Sequence, residues 1–479
     1  MSDRSFLRPL RFLVFGGIGV ALLWAIVNHS LVAALVRIDP SYALEVRPTD
    51  PTALEALIDR AVAAARRNKA GARATARFDF KVPIDPSKPA PSGSEAGVRP
   101  PPPLETDEEV VRRENLRAWA SAILTQEPGN ARALATLAGL ERGTAGDEQK
   151  VGILMRAAAQ RTLRDPAPHA WLLHAAIQER DWPLAMQHVD ILMRMHDQSI
   201  RHLTPLLAHL AETREAAAVV RDALLQNPPW RGAFLSEMLG AITDVRTPLD
   251  LLLALKNTPT PPTHADLRAY LDFLIHRRFY DLAYYTWLQF LPPEQRAGAG
   301  PLFNGDFEFQ PSGQAFDWQL PRGGTAAVWI GRRPDRPSER ALVISFGHGR
   351  VELGATTQLL RLRPGAHQVT GEVMGEVLGR RGVRWIVTCL GDKKREIGES
   401  EAFTGSIKEW RGFVFSVDVP EADCTAQTLS LVLDPGLPSE RLISGSISFD
   451  EMSIRRVPET ARVPIAGPSV SPQSQPRQR

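Results

Sequence analysis

The chain has 479 residues, 43% hydrophobic and 23% charged, with a formal net charge of +3. That length exceeds one ordinary core, so two or three structural units are expected, and the near-neutral charge excludes the basic footprint of a nucleic-acid binder. Only two cysteines occur, both in the C-terminal third, which excludes a zinc cluster and a disulfide-built scaffold.

Residues 1–11 contain Arg4, Arg8 and Arg11, and Phe12–Val36 follows without a formal charge. An uncharged run of about 25 residues is long enough to cross a bilayer as a helix. The positive-inside rule then keeps the stub 1–11 in the cytoplasm. The expectation is a single-pass anchor in a bacterial inner membrane, with the bulk of the chain after Arg37 in the periplasm. A cleaved signal peptide, with Ala33 and Ala34 as the small residues, is the rival reading. A buried soluble helix is the third, and Gly16, Gly17 and Gly19 speak against it.

Residues 41–66 form a first helical segment, in which Leu54, Leu57, Ile58 and Val62 share one face between Asp50 and Ala65. Residues 67–105 read as a Pro-rich linker ending in Pro100–Pro103, too poor in large apolar groups to offset the entropy of ordering. From 106 to 293 helices recur between Pro, Gly, Asp and Asn turns. Glu127-Pro128-Gly129-Asn130 precedes a helix at Ala131–Glu141, and Asp165-Pro166-Ala167-Pro168 precedes another at His169–Arg180. That spacing is near the period of the tetratricopeptide repeat. Leu137, Ala138 and Leu140 fit the small/large signature of its first helix, and Arg278–Ala283 matches a later turn. The segment is similar to degenerate tetratricopeptide repeats, which implies helix pairs stacked into an α-solenoid that holds a protein partner.

Pro292, Pro293 and Pro301 close this array. Strands are expected at Ala326–Gly331, Ala341–Phe346, Thr357–Leu362, His367–Val377, Val383–Leu390, Gly412–Val419, Gln427–Leu433 and Ser446–Arg455, with turns at Arg363-Pro364-Gly365 and Asp434-Pro435-Gly436. This pattern gives residues 301–457 as a two-sheet β-sandwich, followed by a disordered tail at 458–479. The fold class is therefore α then β.

The sandwich opens on Leu302-Phe303-Asn304-Gly305-Asp306-Phe307-Glu308 and closes on Ser448-Phe449-Asp450-Glu451-Met452-Ser453-Ile454. Between them lie Phe316-Asp317-Trp318, Gln358-x-Leu360-x-Leu362 and Trp410-Arg411-Gly412-Phe413. Together these segments resemble carbohydrate-binding modules and their galactose-binding-like relatives. The resemblance implies a jelly roll and a structural calcium where first and last strands meet, with Glu308 and Asp450 as the matching carboxylates. The alternative for these two is simple hydrogen bonding. It also implies sugar stacking on exposed tryptophans, for which Trp329, Trp385 and Trp410 are the candidates. Strand alternation groups Trp385 with Val383, Val387 and Cys389, which favours a core position. Trp410, at the start of a strand, reads as packing, and Trp329 is the better outward candidate of the three, with a packed position open for it as well.

Cys389 and Cys424 either pair in an oxidising compartment, closing a loop of about 35 residues, or remain separate buried thiols. The clusters Arg332-Arg333, Arg380-Arg381 and Lys393-Lys394-Arg395 read as solvated loop charges, the alternative being contact with an acidic polysaccharide or phospholipid head groups. Met186, His188, Met193, Met195, His196, His202 and His209 would suit copper by residue type, but their spacing is that of core filler and surface. His169 and His174 lack the spacing of a helical metal pair. Asp306 and Glu308 are a conceivable acid/base pair at the domain edge, with no cleft implied. No nucleophile elbow, P-loop or dinucleotide fingerprint occurs. The reading is a non-catalytic periplasmic scaffold for envelope polysaccharide assembly or export, with no catalytic residue and no cofactor beyond that calcium. The alternative is a carbohydrate receptor whose helical region serves as a stalk.

Overall fold

Prolines and short polar caps set the helix starts of the first half. In the computed structural model, which describes residues 7–72, 107–141, 148–195, 197–321, 323–347, 350–379, 382–433 and 442–458, the chain divides into two units, Met1–Ile242 and Thr243–Arg479. The first holds α1 (Leu7–Ile38), α2 (Pro40–Val46), α3 (Pro51–Ala72), α4 (Asp107–Gln126), α5 (Ala131–Glu141), α6 (Glu148–Arg161), α7 (Pro166–Gln178), α8 (Trp182–Met195), α9 (Asp197–Glu212), α10 (Ala217–Leu225) and α11 (Arg231–Glu237). Asp39 caps α2 by accepting from the Ser41 N–H at 2.9 Å, and Asp165 caps α7 by accepting from Ala167 at 3.0 Å. Each is followed by a proline whose fixed φ suits the first turn.

These helices pack on their sequence neighbours. Leu54 and Ile58 of α3 meet Leu116, Ala120 and Ile123 of α4 and Ala133 of α5. Ala135 and Ala138, elsewhere on α5, pack against Val151, Met155 and Ala158 of α6. Val32, near the end of α1, packs with Ala43 and Ala53. Helix α3 runs beyond the expected end at residue 66, because the Ala-, Arg- and Lys-rich stretch up to Ala72 favours helix. The remainder of the expected linker (73–105), the tail from 459 and the charges Arg380-Arg381 lie outside the described residues. Among the described residues no helix is long and apolar enough to cross a membrane. The side chains of residues 7–17 lie outside that set.

The second unit begins at Thr243, so α12 (Thr247–Leu255), α13 (His264–His276), α14 (Tyr280–Phe290) and α15 (Pro293–Arg296) belong with the sandwich rather than with the preceding helices. The reason is aromatic packing. Trp287 of α14 is 1% exposed, with ring centroids 5.0 Å from Phe303 and 5.7 Å from Phe316. Tyr284 stands edge-on to Phe316 at 5.2 Å.

The strands are β1 (Ala326–Arg332), β2 (Arg340–Phe346), β3 (Thr356–Leu360), β4 (Gly365–Leu378), β5 (Val383–Leu390), β6 (Lys394–Glu399), β7 (Gly405–Val419), β8 (Gln427–Leu433) and β9 (Ser444–Arg456). They form a five-stranded sheet ordered β1-β2-β9-β4-β7 and a four-stranded sheet ordered β3-β8-β5-β6. All the described pairings are antiparallel. Leu342, Ile344, Val369, Val373, Trp385, Val387, Phe413 and Phe449 fill the space between the sheets. Strand β6 escapes the alternation rule because Ile397 is its one large apolar residue. Its Lys394 and Arg395, read as loop charges, instead sit on an edge strand, where lysine discourages further pairing.

The opening motif is architectural. Asn304, at φ 52°, exchanges two hydrogen bonds with Phe309, donating from Nδ2 at 2.9 Å and accepting at Oδ1 at 3.0 Å. Its carbonyl accepts from Trp318 Nε1 at 2.8 Å, and fully buried Phe307 packs on Trp318 with centroids 5.2 Å apart. Gly305 lets the closing strand approach: its carbonyl accepts from Met452 N–H at 2.9 Å, and a Cβ there would lie 1.9 Å from the Met452 oxygen. The two end segments of the sandwich are thus hydrogen-bonded to one another.

In the first unit two histidines meet. His169 and His188 are 2% and 6% exposed, with their Nδ1 atoms 3.2 Å apart. His169 Nε2 lies 3.0 Å from the Thr162 carbonyl, which can only accept. His169 therefore carries its proton on Nε2, and His188 donates from Nδ1 to His169 Nδ1. Burial, with a smaller contribution from His169, pushes the His188 pKa down to about 4 from 6.5. The unfolded chain then binds a proton between about pH 6.5 and 4 that the folded one refuses. Stability is expected to fall by up to about 3 kcal/mol as pH drops through that window. Replacing His188 by Phe should flatten this part of a denaturation-versus-pH curve; an unchanged slope would rule the pair out as its source.

Candidate functional site

The outer surface of the five-stranded sheet follows from alternation. With Leu342, Ile344, Ile447 and Phe449 inside, the intervening residues point outward. The register places Trp329, Val343, Ser448 and Met374 in one row across β1, β2, β9 and β4. The next row is Ala327, Ser345, Ser446, Glu376 and Ser406. A tryptophan therefore stands at the head of one row, beside a second row of hydroxyls ending toward a carboxylate.

Trp329 is 44% exposed. Its indole lies over Gly331, where a Cβ would come within 3.1 Å of Trp329 Nε1 and 3.0 Å of Val343 Cγ2. The missing side chain seats the ring against the sheet and leaves its far side open. The other two candidate tryptophans differ. Trp385 is fully buried, with centroids 5.6 Å from Trp318 and 5.3 Å from Phe449, so it belongs to the core and offers no sugar platform. Trp410 is half-buried, and the Arg333 guanidinium covers one ring face 3.8 Å from the centroid. Its Nε1 donates to Asp335 at 2.7 Å, so that tryptophan is already engaged.

Arg333 is a correction to the expectation of solvated loop charges, since it is 1% exposed. The β1–β2 connection folds back over the sheet and brings three carboxylates to this one cation. Arg333 donates to both oxygens of Asp335 (3.1 and 3.0 Å), to Glu372 at 3.0 Å and to Asp450 at 2.6 Å. Burial opposes its charge, but these hydrogen bonds outweigh burial and hold it protonated. Asp450 is 2% exposed, and burial pushes its pKa up to about 6, although the Arg333 hydrogen bond pulls the other way. The hydrogen bond from Arg333 holds exposed Asp335 down at about 2.

This arrangement bears on calcium. Among the described residues, the group of carboxylates brought within 4.8 Å of one another is Glu339, Asp450 and Glu451, and Glu308 is not part of it. Glu308 Oε1 accepts from the Arg340 N–H at 2.8 Å. A dication on Asp450 would sit beside the guanidinium that already neutralises it, so the residues present do not fit a structural calcium shared by Glu308 and Asp450.

Asp306 is exposed while Glu308 is committed to Arg340, and the two form no joint cleft. Cys389 and Cys424 are disulfide-bonded, with Cα atoms 5.1 Å apart, tying β5 to the segment before β8. Met186 and Met193 are core residues, and His202 Nδ1 contacts the Gln198 carbonyl at 2.6 Å. His196 lies outside the described residues. Sequence reasoning missed the Arg333 network and the His169–His188 pair. Pro334 and Pro337, which stiffen the loop around Asp335, were the available signal for the first.

No protein-family model matches the chain, and no curated protein matches it. The C-terminal region resembles jelly rolls of carbohydrate-binding modules. It is similar to a family 4 module at 14% identity, covering 32% of this chain and 97% of that one, with a TM-score of 0.25. It is likewise similar to a family 16 module (15% identity, 33% and 100% covered, TM-score 0.24). A family 61 module, solved in complex with β-1,4-galactotriose, matches at 17% identity, covering 33% and 99%, with a TM-score of 0.22.

Proposed function

We propose that the sandwich is a non-catalytic glycan-binding module whose ligand lies on the outer face of the five-stranded sheet. The observation that carries this reading is Trp329. Its ring is seated on Gly331 and open on the far side, on a sheet face that carries Ser345 on the adjacent strand and Ser446, Ser448 and Glu376 on the strands beyond it. A pyranose has an apolar face for stacking and equatorial hydroxyls for hydrogen bonds, which matches an aromatic platform beside a polar row.

The same proposal places the chain at a bacterial inner membrane, with residues 1–11 in the cytoplasm, Phe12–Val36 as the anchor and the chain after Arg37 periplasmic. Support comes from the uncharged run Phe12–Val36 within the continuous helix α1, whose Val20, Leu23 and Trp24 are 70%, 64% and 68% exposed. The Cys389–Cys424 bond suits an oxidising compartment. The scaffold reading, with a protein partner held by tetratricopeptide-like helix pairs, is supported by the neighbour-on-neighbour packing of α3 through α10. The glycan reading has a specific site.

The test is glycan-array screening of the detergent-solubilised full chain, followed by calorimetric titration. Trp329→Ala should weaken binding about 30-fold or more, the loss of roughly 2 kcal/mol seen for a stacking anchor. Gly331→Val should weaken it too, by unseating the ring, with no change in melting temperature in the first variant. Binding that survives Trp329→Ala intact would move the site elsewhere.

A further inference from the structure

A second feature of the Thr243–Arg479 unit has no part in the Trp329 face and shares no residue with it. A cleft of about 510 Å³ opens between the start of α12, the α13–α14 turn, and the β3–β4 and β7–β8 connections. That volume is in the usual range for small-ligand sites. Its lining includes Arg246, Arg278, Arg361 and Arg363 against the carboxylates Asp281 and Glu421.

The charges are unevenly satisfied. Arg361 pairs with Asp281 and lies over the Tyr285 ring, 5.4 Å from its centroid, while Arg278 donates to Asp392 at 2.7 Å. Arg246 and Arg363 are exposed, and among the described residues neither guanidinium has a hydrogen bond or ion pair. Two unpaired guanidiniums lining one cleft repel each other until an anion joins them, and their planar forks match an oxyanion. Phe279, 43% exposed, adds an apolar ring to the lining.

The walls are held in place. Leu362 donates its N–H to Gln427 Oε1 at 2.8 Å, and Cys424 is tied to Cys389. The site is therefore organised before any ligand arrives.

We infer that this cleft binds a carboxylate-bearing sugar, its acid group between Arg246 and Arg363 and its ring against Phe279. The probe is a galacturonic acid trimer titrated into the detergent-solubilised full chain, with the neutral galactose trimer and inorganic phosphate as comparisons. The acidic trimer should bind, and more weakly as salt rises. The double variant Arg246→Gln/Arg363→Gln should lower its affinity at least about tenfold, since hydrogen bonds to charged groups contribute roughly 1.5–3 kcal/mol each. Both side chains are exposed, so melting temperature should stay unchanged, and Trp329→Ala should leave acidic-trimer binding intact. Absence of binding, equal binding of the neutral trimer, or loss caused by Trp329→Ala alone would each overturn the assignment. Phosphate binding as tightly as the acidic trimer would overturn the sugar part of it.

Discussion

Replacing Arg333 by Met is expected to cost the sandwich about 3–5 kcal/mol, the penalty for stranding a buried charge when its partner is removed. Asp450 would stay buried beside Glu372 with no cation between them. The pH dependence is a second signature. Asp450 already has its pKa raised to about 6 in the folded chain, against 3.8 for a free carboxyl, so the folded state holds a proton there that the unfolded state has released. Acidification through about pH 6 to 4 therefore favours folding through this group. Without Arg333 the effect should grow, and the variant should lose less stability at pH 5 than at pH 8. Asp335, held at about 2, contributes in the opposite sense and only below about pH 4. Urea denaturation at pH 5 and pH 8 measures the cost of the substitution and the Asp450 effect, and a third curve at about pH 3 adds that of Asp335. Because Arg333 supplies the positive charge at Asp450, chelating calcium should leave the wild-type melting temperature unchanged. A drop of several degrees with chelator would restore the metal.

The second large effect separates two tryptophans that look equivalent in sequence. Trp385→Ala should destabilise the sandwich by about 3–5 kcal/mol, because it empties a site packed by Trp318 and Phe449. Trp385→Phe should cost far less than the alanine change. The buried Trp385 Nε1 has no hydrogen-bond partner, so losing it removes an unsatisfied donor along with part of the ring. Equal losses for Phe and Ala would mean that the indole makes an interaction the packing does not account for. Set beside Trp329→Ala, which should alter binding and spare stability, the pair distinguishes a structural aromatic from a functional one.

Periodicity in the sequence was enough to assign Trp385. A strand reading Val383, Trp385, Val387, Cys389 on one face has only one way to satisfy that face, which is to bury it. The same logic placed β4, β9 and the second half of β7, whose exposed first half from Gly405 carries no alternation. Short-range chemistry placed the helix start after Asn130, whereas α7 begins at Pro166 on its Asp165 cap, three residues before the expected His169. The chain outside these local rules was less legible. Strand β6 offers a single large apolar residue, Ile397, so there is no alternation to read. The α13–α14 pair looks like one more helical repeat until Trp287 is seen against Phe303 and Phe316.

What the amino-acid sequence determined by itself is the order of helical and sandwich regions and the core face of each regularly alternating strand. Each follows from interactions between residues a few positions apart. Only the tertiary structure decided that Arg333 is buried, that it covers Trp410, and that Arg246 and Arg363 line one cleft. Those outcomes depend on groups from separate elements, such as Glu372 on β4 and Asp450 on β9, whose meeting is set by strand order and loop path. Burying an arginine is favourable only where such partners converge, and no local pattern records that convergence.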